Sequence, residues 1–161
     1  MRTIQWLFVL SVLFFVSGIS FVVAAARTAR SASPVAAAVT TTPVASVKQI
    51  MGAITGPAAN VIYGAVATNV TAAGIKETFP QDDEEWAAVG NSAAALAESA
   101  NLLMTDGRAI DQGDWVKMSQ QLVDAAKAAL KAANDKSTDG ILEAGGPINA
   151  TCDDCHAKYQ R

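Results

Sequence analysis

The sequence of 161 residues contains only one histidine, two cysteines, few aromatic residues (6%) and few charged residues (17%). It also lacks any long run in which Val, Ile or Thr alternates with polar residues, the pattern that predicts a half-buried strand. Alanine, the strongest helix former, is abundant instead. These features predict an all-α fold, and the length allows one ordinary domain preceded by a leader.

Basic residues are scarce in most of the chain. The formal net charge is −3, but three of the twelve basic residues, Arg2, Arg27 and Arg30, lie near the N-terminus. From Pro43 onward, nine basic residues face fifteen acidic ones, a balance of −6. A surface of that sign repels nucleic acid and favours partner proteins with basic patches. Acidity that only keeps a small domain soluble would give the same balance.

An apolar segment from about Ile4 to Ala26 follows the positive charge of Arg2. A positive charge before an apolar core is typical of an export signal, and the alanines at 24–26 suit cleavage. The segment is also long enough to span a bilayer, which takes about 20 helical residues. Residues 1–26 are therefore expected to be an export signal or a retained N-terminal anchor, with residues 4–26 as the span in the second case.

Residues 27–42 are small or polar and show no apolar periodicity. Such a composition predicts a flexible linker of Ala, Ser, Thr and Pro. A disordered mature N-terminus would have the same composition. The remaining residues, 43–161, form the predicted domain.

Four segments of the domain repeat apolar residues at spacings of three and four, the period of an amphipathic helix. They run from about 43 to 68, 83 to 104, 114 to 136 and 138 to 159. Pro57 is expected to kink the first helix, and residues 69–81 are expected to form a loop. Suitable N-capping residues stand at Thr42, Asp82 or Asp83, Asp114, and Ser137 or Thr138. Helices of similar length with modest connections predict an up-down-up-down four-helix bundle.

Both cysteines and the single histidine lie together near the C-terminus, in Cys152-Asp153-Asp154-Cys155-His156. On a helix, positions 152, 155 and 156 fall on one face. Cys-x-x-Cys-His signals covalent attachment of a c-type haem, with two thioether bonds and a histidine on the iron. The motif predicts one covalent haem c near the C-terminal end of the last helix, with His156 as the proximal iron ligand.

Three other uses of these residues fit the sequence less well. A structural zinc site takes about four ligands, and the chain offers three, two of them adjacent. A thioredoxin-like redox pair begins a helix that follows a strand, and no strand is predicted nearby. A structural disulfide would have to join residues only one helical turn apart.

The sixth iron position stays open at this point, because the only histidine is committed to the proximal side. The sixth position holds a methionine, holds another weak ligand, or is empty. Three methionines lie in the domain: Met51, Met104 and Met118. Met51 falls on the inner stripe of the first helix and is the candidate sixth ligand. Methionine ligation raises the reduction potential and favours electron transfer, although methionine on an apolar face is also ordinary core filler.

The stretch from Cys152 to Tyr159, at the end of the last of four helices, resembles the class II cytochromes c, that is, cytochrome c′ and its low-spin relatives. The resemblance implies that Tyr159, three residues after the histidine, packs near the proximal side of the haem. In one branch of the family the iron is five-coordinate and binds nitric oxide or carbon monoxide. In the other, a first-helix methionine completes the coordination, and residues 47–51 look like the start of that helix. Members of the family often pair as dimers through their first two helices, so the resemblance makes a homodimer one of the expected partners.

These features predict an electron carrier outside the cytoplasm, in the periplasm, either soluble after signal cleavage or tethered to the inner membrane. Its expected partner is a redox protein with a basic docking patch. The alternative is a gas-binding protein with an open iron position. No acid–base pair accompanies the committed histidine, so the sequence predicts no enzymatic activity.

Overall fold

The computed structural model describes residues 5–7, 11–12, 14–15 and 42–160. The chain divides into two units, Met1–Thr41 and Thr42–Arg161. Of the predicted leader only seven residues are described, all helical and exposed, and of the predicted linker only Thr42; the rest of both segments lies outside the described residues. No helix in the part of the chain that the structure describes is long and apolar enough to cross a membrane.

The second unit is mostly helical, as the composition predicted. A first helical segment, residues 47–65, consists of α1 (Val47–Ile50), a π-helical turn (Met51–Thr55) and α2 (Gly56–Ala65). Two short strands follow, β1 (Ala67–Thr71) and β2 (Gly74–Thr78). Three long helices come after the strands: α3 (Asp83–Leu103), α4 (Asp114–Asn134) and α5 (Thr138–Tyr159).

The first helical segment begins four residues later than predicted. Ser46 and Gln49 form a reciprocal capping box, in which the backbone N–H of each residue donates to the other's side-chain oxygen, at 2.9 Å and 3.3 Å. This pair satisfies two of the free N–H groups at the helix start. It fixes the N-terminus there and not at Thr42.

A π-helical turn precedes Pro57, the residue at which the sequence predicts a kink. Gly56 donates its backbone N–H to the carbonyl of Met51, five residues back. Proline has no N–H to donate and its ring crowds the carbonyl four residues before it. A wider turn directly ahead of Pro57 is one way to relieve that crowding, and it places Met51 at the start of the turn.

The prediction of a loop over residues 69–81 was wrong for most of that stretch. β1 and β2 pair antiparallel, with Val70 opposite Ile75. Gly74 has a φ of +129°, which favours glycine. Nearly every residue of the hairpin is exposed, so its sequence carries no alternation of buried and exposed positions from which a strand is predicted.

α3 and α4 run antiparallel, since Asp83 at the start of α3 pairs with Lys136 just after the end of α4. Specific side-chain contacts join the helices. The Trp115 ring N–H donates to the Leu103 carbonyl at 2.8 Å and links α4 to α3. Thr55 donates its hydroxyl to Ser99 at 3.0 Å and links the first helical segment to α3. At the opposite end of these helices, Gly140 of α5 lies so close to α4 that an added Cβ would stand 2.8 Å from the Ala132 Cβ.

Two groups of buried apolar residues stabilise this arrangement. The larger contains Trp86, Leu96, Ile148 and many alanines of α3 and α4. The smaller consists of Ile50, Leu103 and Trp115, with Met51 and Tyr159 packed against it. The smaller cluster lies at the end of the helices where α5 finishes, and this is also the end that carries the cysteines and the histidine.

Candidate haem site

The Cys-x-x-Cys-His motif lies in the last two turns of α5. Ser137 caps the other end of this helix, since its side chain accepts a hydrogen bond from the Gly140 N–H. Cys152 and Cys155 are half-buried and form no disulfide, and His156 is exposed. The three side chains lie on one face, as the spacing of three and four residues predicted.

That face forms one wall of a cavity of about 130 Å³. The first helical segment contributes Met51, Thr55, Gly56 and Ala59, α3 contributes Leu103, and α4 contributes Met118, Ser119 and Leu122. α5 contributes Thr151, Cys152, Cys155 and His156. Most of these side chains are apolar, so the cavity presents a mainly apolar surface to any group attached to the cysteines.

Of the three methionines in the predicted domain, two line this cavity. Met51 comes from the first helical segment and Met118 from α4. Met104 packs instead against the larger core cluster. The structure therefore brings Met51, the predicted sixth ligand, into the same cavity as His156, and it adds Met118 as a second thioether there.

The pairing of helices places Met51 at the height of His156. Tyr63 of the first helical segment packs against α5 beside Gly145, where an added Cβ would lie 3.8 Å from the Tyr63 ring. The two helical segments run antiparallel, and each rises by about 1.5 Å per residue. Met51 lies twelve residues before Tyr63, and residue 157 lies twelve residues after Gly145. Met51 and His156 therefore lie at nearly the same level.

The surroundings of the cysteines keep them in the protonated form. Burial raises the pKa of the Cys152 thiol, and the nearby charges of Asp153 and Cys155 add to the effect. Burial likewise raises the pKa of the Cys155 thiol. A reactive redox cysteine needs the opposite change, a lowered pKa.

Tyr159 does not line the cavity and lies beside it. Its ring meets Trp115 edge to face, with centroids 5.1 Å apart, and its hydroxyl donates to Asp111 at 2.5 Å. Lys158 forms an ion pair with Asp114 at 2.5 Å. These contacts attach the end of α5 to the start of α4 and hold the motif in place.

Sequence reasoning missed three residues near the site. Ser119 and Thr55 line the cavity, and both are almost completely buried. Tyr63 lies close enough to Cys152 and Asp153 for their charges, after burial itself, to help raise its pKa to about 12. The packing of Tyr63 beside Gly145 depends on tertiary structure, for which the local sequence carries no signal.

Comparison of the chain with protein-family models, with curated proteins and with solved structures finds no match. Within the described ranges, no group of three or more His, Cys, Asp or Glu side chains is arranged to hold a bare metal ion.

Proposed function

We propose that this chain is a c-type cytochrome that carries electrons outside the cytoplasm, and that residues 43–161 form an up-down-up-down four-helix bundle around one covalent haem. The observation that carries the proposal is the meeting of Cys152, Cys155 and His156 in the wall of one apolar cavity, with Met51 on the helical segment that faces them. The residues of the motif thus line a cavity whose wall is mainly apolar.

The residues around the cavity fit the group that the motif implies. Both thiols are free, and both are half-buried at the cavity wall, as thioether formation requires. The macrocycle of a haem is apolar, and most of the lining side chains are apolar, among them two methionines and two leucines. Cys152 and Cys155 would hold the group covalently and His156 would bind its iron.

Met51 is the better candidate for the sixth ligand of the two methionines in the cavity. α4 and α5 pack against each other along their length, whereas the first helical segment and α5 make far fewer contacts. The space for a flat group therefore lies between the first helical segment and α5. Met51 belongs to the first helical segment and His156 to α5, the two elements on either side of this space, whereas Met118 belongs to α4.

When bound, the haem supplies an iron that alternates between the ferrous and ferric states. His156 and Met51 would bind the iron, and the apolar wall would limit the access of bulk water to it. A histidine–methionine pair raises the reduction potential and favours electron transfer. The buried Leu103 and Leu122 contribute to the dry surroundings.

The partner in the proposed electron transfer is a protein with a basic patch. Asp153 and Asp154 are exposed and lie between the two cysteines, so the surface beside the haem would be acidic. Complementary charge increases the rate at which two such proteins meet. The proposed covalent haem and the predicted export segment both support a periplasmic location, whether soluble or anchored.

The proposal is tested by denaturing electrophoresis of the full chain with a haem stain. The band should keep its haem, because thioether bonds survive denaturation. Cys152→Ser combined with Cys155→Ser should remove the stain, and Asp154→Asn, between them and exposed, should retain it. A wild-type band without haem would contradict the proposal.

A second function, binding of nitric oxide or carbon monoxide at an open iron position, is favoured if Met51 only lines the cavity. The visible spectrum of the reduced protein, recorded before and after carbon monoxide is added, distinguishes the two. Sharp, separate α and β bands that ignore the gas indicate a filled sixth position. A single broad band that shifts indicates an open one.

A further inference from the structure

Three polar side chains are buried in the otherwise apolar interior of the second unit. They are Thr55, Ser99 and Ser119, with exposed fractions of 4%, 1% and 4%. Burying a hydroxyl is costly unless it forms a hydrogen bond. Their positions therefore call for a physical reason.

All three hydroxyls lie at one level of the helices. Thr55 is bonded to Ser99 directly. The ring N–H of Trp115 donates to the carbonyl of Leu103. Ser99 lies four residues before Leu103, and Ser119 lies four residues after Trp115. Because α3 and α4 run antiparallel, Ser99 and Ser119 lie at the same level. The three residues thus form one layer beside the cavity, which Thr55 and Ser119 line.

Two of the three hydroxyls are satisfied within the protein. Thr55 donates to Ser99 at 3.0 Å, and Ser99 donates to the Leu96 carbonyl at 2.8 Å. Both hydroxyl hydrogens are therefore donated, and the Thr55 oxygen can still accept a hydrogen bond. Bonds in such a chain strengthen one another.

Ser119 differs, because its hydroxyl makes no hydrogen bond to any residue that the structure describes. Within the same residues, no polar side-chain atom is both sealed from solvent and without a partner. The Ser119 oxygen is therefore open to the cavity that it lines. A haem in that cavity would displace the bulk water, and the hydroxyl would then need another partner.

We propose that Ser119 donates a hydrogen bond to a small acceptor held in the cavity beside the haem, either a water molecule or an iron-bound diatomic gas. This inference rests on the proposed function. A water there would accept from Ser119 and donate to Thr55, which extends the chain through Ser99 to the Leu96 carbonyl. Ser119 is a positioning residue for that acceptor, and Thr55 completes the subsite.

The test compares Ser119→Ala with Ser119→Thr, which keeps the hydroxyl, and with Ser92→Ala. Ser92 is a matched control because its hydroxyl bonds within α3, to the Ala88 carbonyl at 2.9 Å, and it does not line the cavity. Each variant is first stained for haem. The reduction potential is then measured, and the C–O stretching frequency is recorded by infrared spectroscopy if carbon monoxide binds.

If carbon monoxide binds, we expect the C–O stretch of Ser119→Ala to move to higher frequency, because a donor to the gas is lost, with Ser119→Thr unchanged. If it does not bind, we expect Ser119→Ala to raise the reduction potential. Loss of the hydroxyl and its water leaves a drier site that favours the less charged ferrous iron, and Ser119→Thr should restore the wild-type value. The first result identifies the acceptor as the gas and the second as water.

The inference is overturned if Ser119→Ala matches Ser92→Ala in every value measured. That outcome would mean that the Ser119 hydroxyl turns to the carbonyl four residues back, as serine in a helix often does. A wild-type chain without haem stain would instead overturn the proposed function, and the inference with it. The stain therefore separates the two failures.

Discussion

The hydroxyl of Tyr159 donates a hydrogen bond to a carboxylate oxygen of Asp111, 2.5 Å away. Asp111 also accepts from the backbone N–H groups of Trp115 and Gly113, at 3.1 Å and 2.8 Å. The carboxylate thus fastens the last residue of α5 to the start of α4. Because Tyr159 follows His156 by three residues, this contact helps to fix the helix end that carries the motif.

The pair has two consequences for the dependence of stability on pH. Hydrogen bonds, that of Tyr159 first, hold the pKa of Asp111 below its ordinary value of 3.8. This contribution to stability is present above pH 3.8 and is lost as the pH falls through the folded-state pKa. The bond to Asp111 raises the pKa of Tyr159 above 10.0, so that contribution is present below pH 10.0 and is lost as the pH rises through the folded-state pKa.

Tyr159→Phe should weaken the dependence of stability on pH at both the acidic and the alkaline end. The variant keeps the ring that packs on Trp115 and removes only the hydroxyl, so the unfolding midpoint should depend less on pH at both extremes. Some acid dependence should persist through the backbone N–H groups that Asp111 still accepts from. Unfolding midpoints across the pH range check this, and a variant profile that overlays the wild type would contradict it.

Trp115→Phe should destabilise the protein by more than the loss of ring area. The carbonyl of Leu103 lies in the last turn of α3 and has no partner within the helix, and the Trp115 ring N–H supplies one at 2.8 Å. Leaving such a buried acceptor unpaired costs about 1–3 kcal/mol.

Trp86→Phe is the matched control for that measurement. Trp86 is also buried, but its ring N–H makes no hydrogen bond to a described residue, so only packing is lost. Chemical denaturation of both variants gives the comparison. Equal losses of unfolding free energy would show that the Trp115 bond contributes nothing beyond packing.

Two glycines of α5 should respond in opposite ways to alanine. An added Cβ at Gly146 would meet nothing within 4 Å, so Gly146→Ala should stabilise the helix, by up to about 1 kcal/mol. At Gly140 the added Cβ would lie 2.8 Å from the Ala132 Cβ, and α4 and α5 would have to separate. Thermal unfolding should rank Gly146→Ala above the wild type and Gly140→Ala below it; the reverse order would be incompatible with this packing.

The sequence was most informative where a local pattern alone decides the structure. The bounds of α3, α4 and α5 agree with the predicted ones to within two residues, because three-four apolar spacing and the Asp82 and Ser137 caps are local signals. The first helix begins later than predicted, at the capping box of Ser46 and Gln49, which is also a local signal in the sequence. The exposed hairpin offered no comparable signal.

The candidate site was likewise predictable only where local spacing decides it. That Cys152, Cys155 and His156 share one face follows from their spacing, and their place near a helix end was predicted. That Met51 and Met118 line the same cavity as His156, while Met104 does not, depends on how the helices pair. No single-sequence pattern reports this, and the same holds for the layer of Thr55, Ser99 and Ser119.

Met51→Leu is the variant that decides the sixth ligand. If the Met51 sulfur binds the iron, its removal should open the sixth position, replace the sharp bands of the reduced protein with a broad one, and allow carbon monoxide to bind. The reduction potential should fall, because methionine ligation raises it. Leucine is close to methionine in volume, so the apolar packing beside Ile50 and Leu103 should be conserved.

Met118→Leu is the control, since Met118 lines the same cavity but comes from α4 and not from the first helical segment. Its spectrum and its response to carbon monoxide should equal those of the wild type. If Met51→Leu leaves spectrum and potential unchanged, then Met51 is a core residue and not a ligand. If only Met118→Leu opens the iron, the pairing of Met51 with His156 across the cavity is wrong, and α4 supplies the ligand.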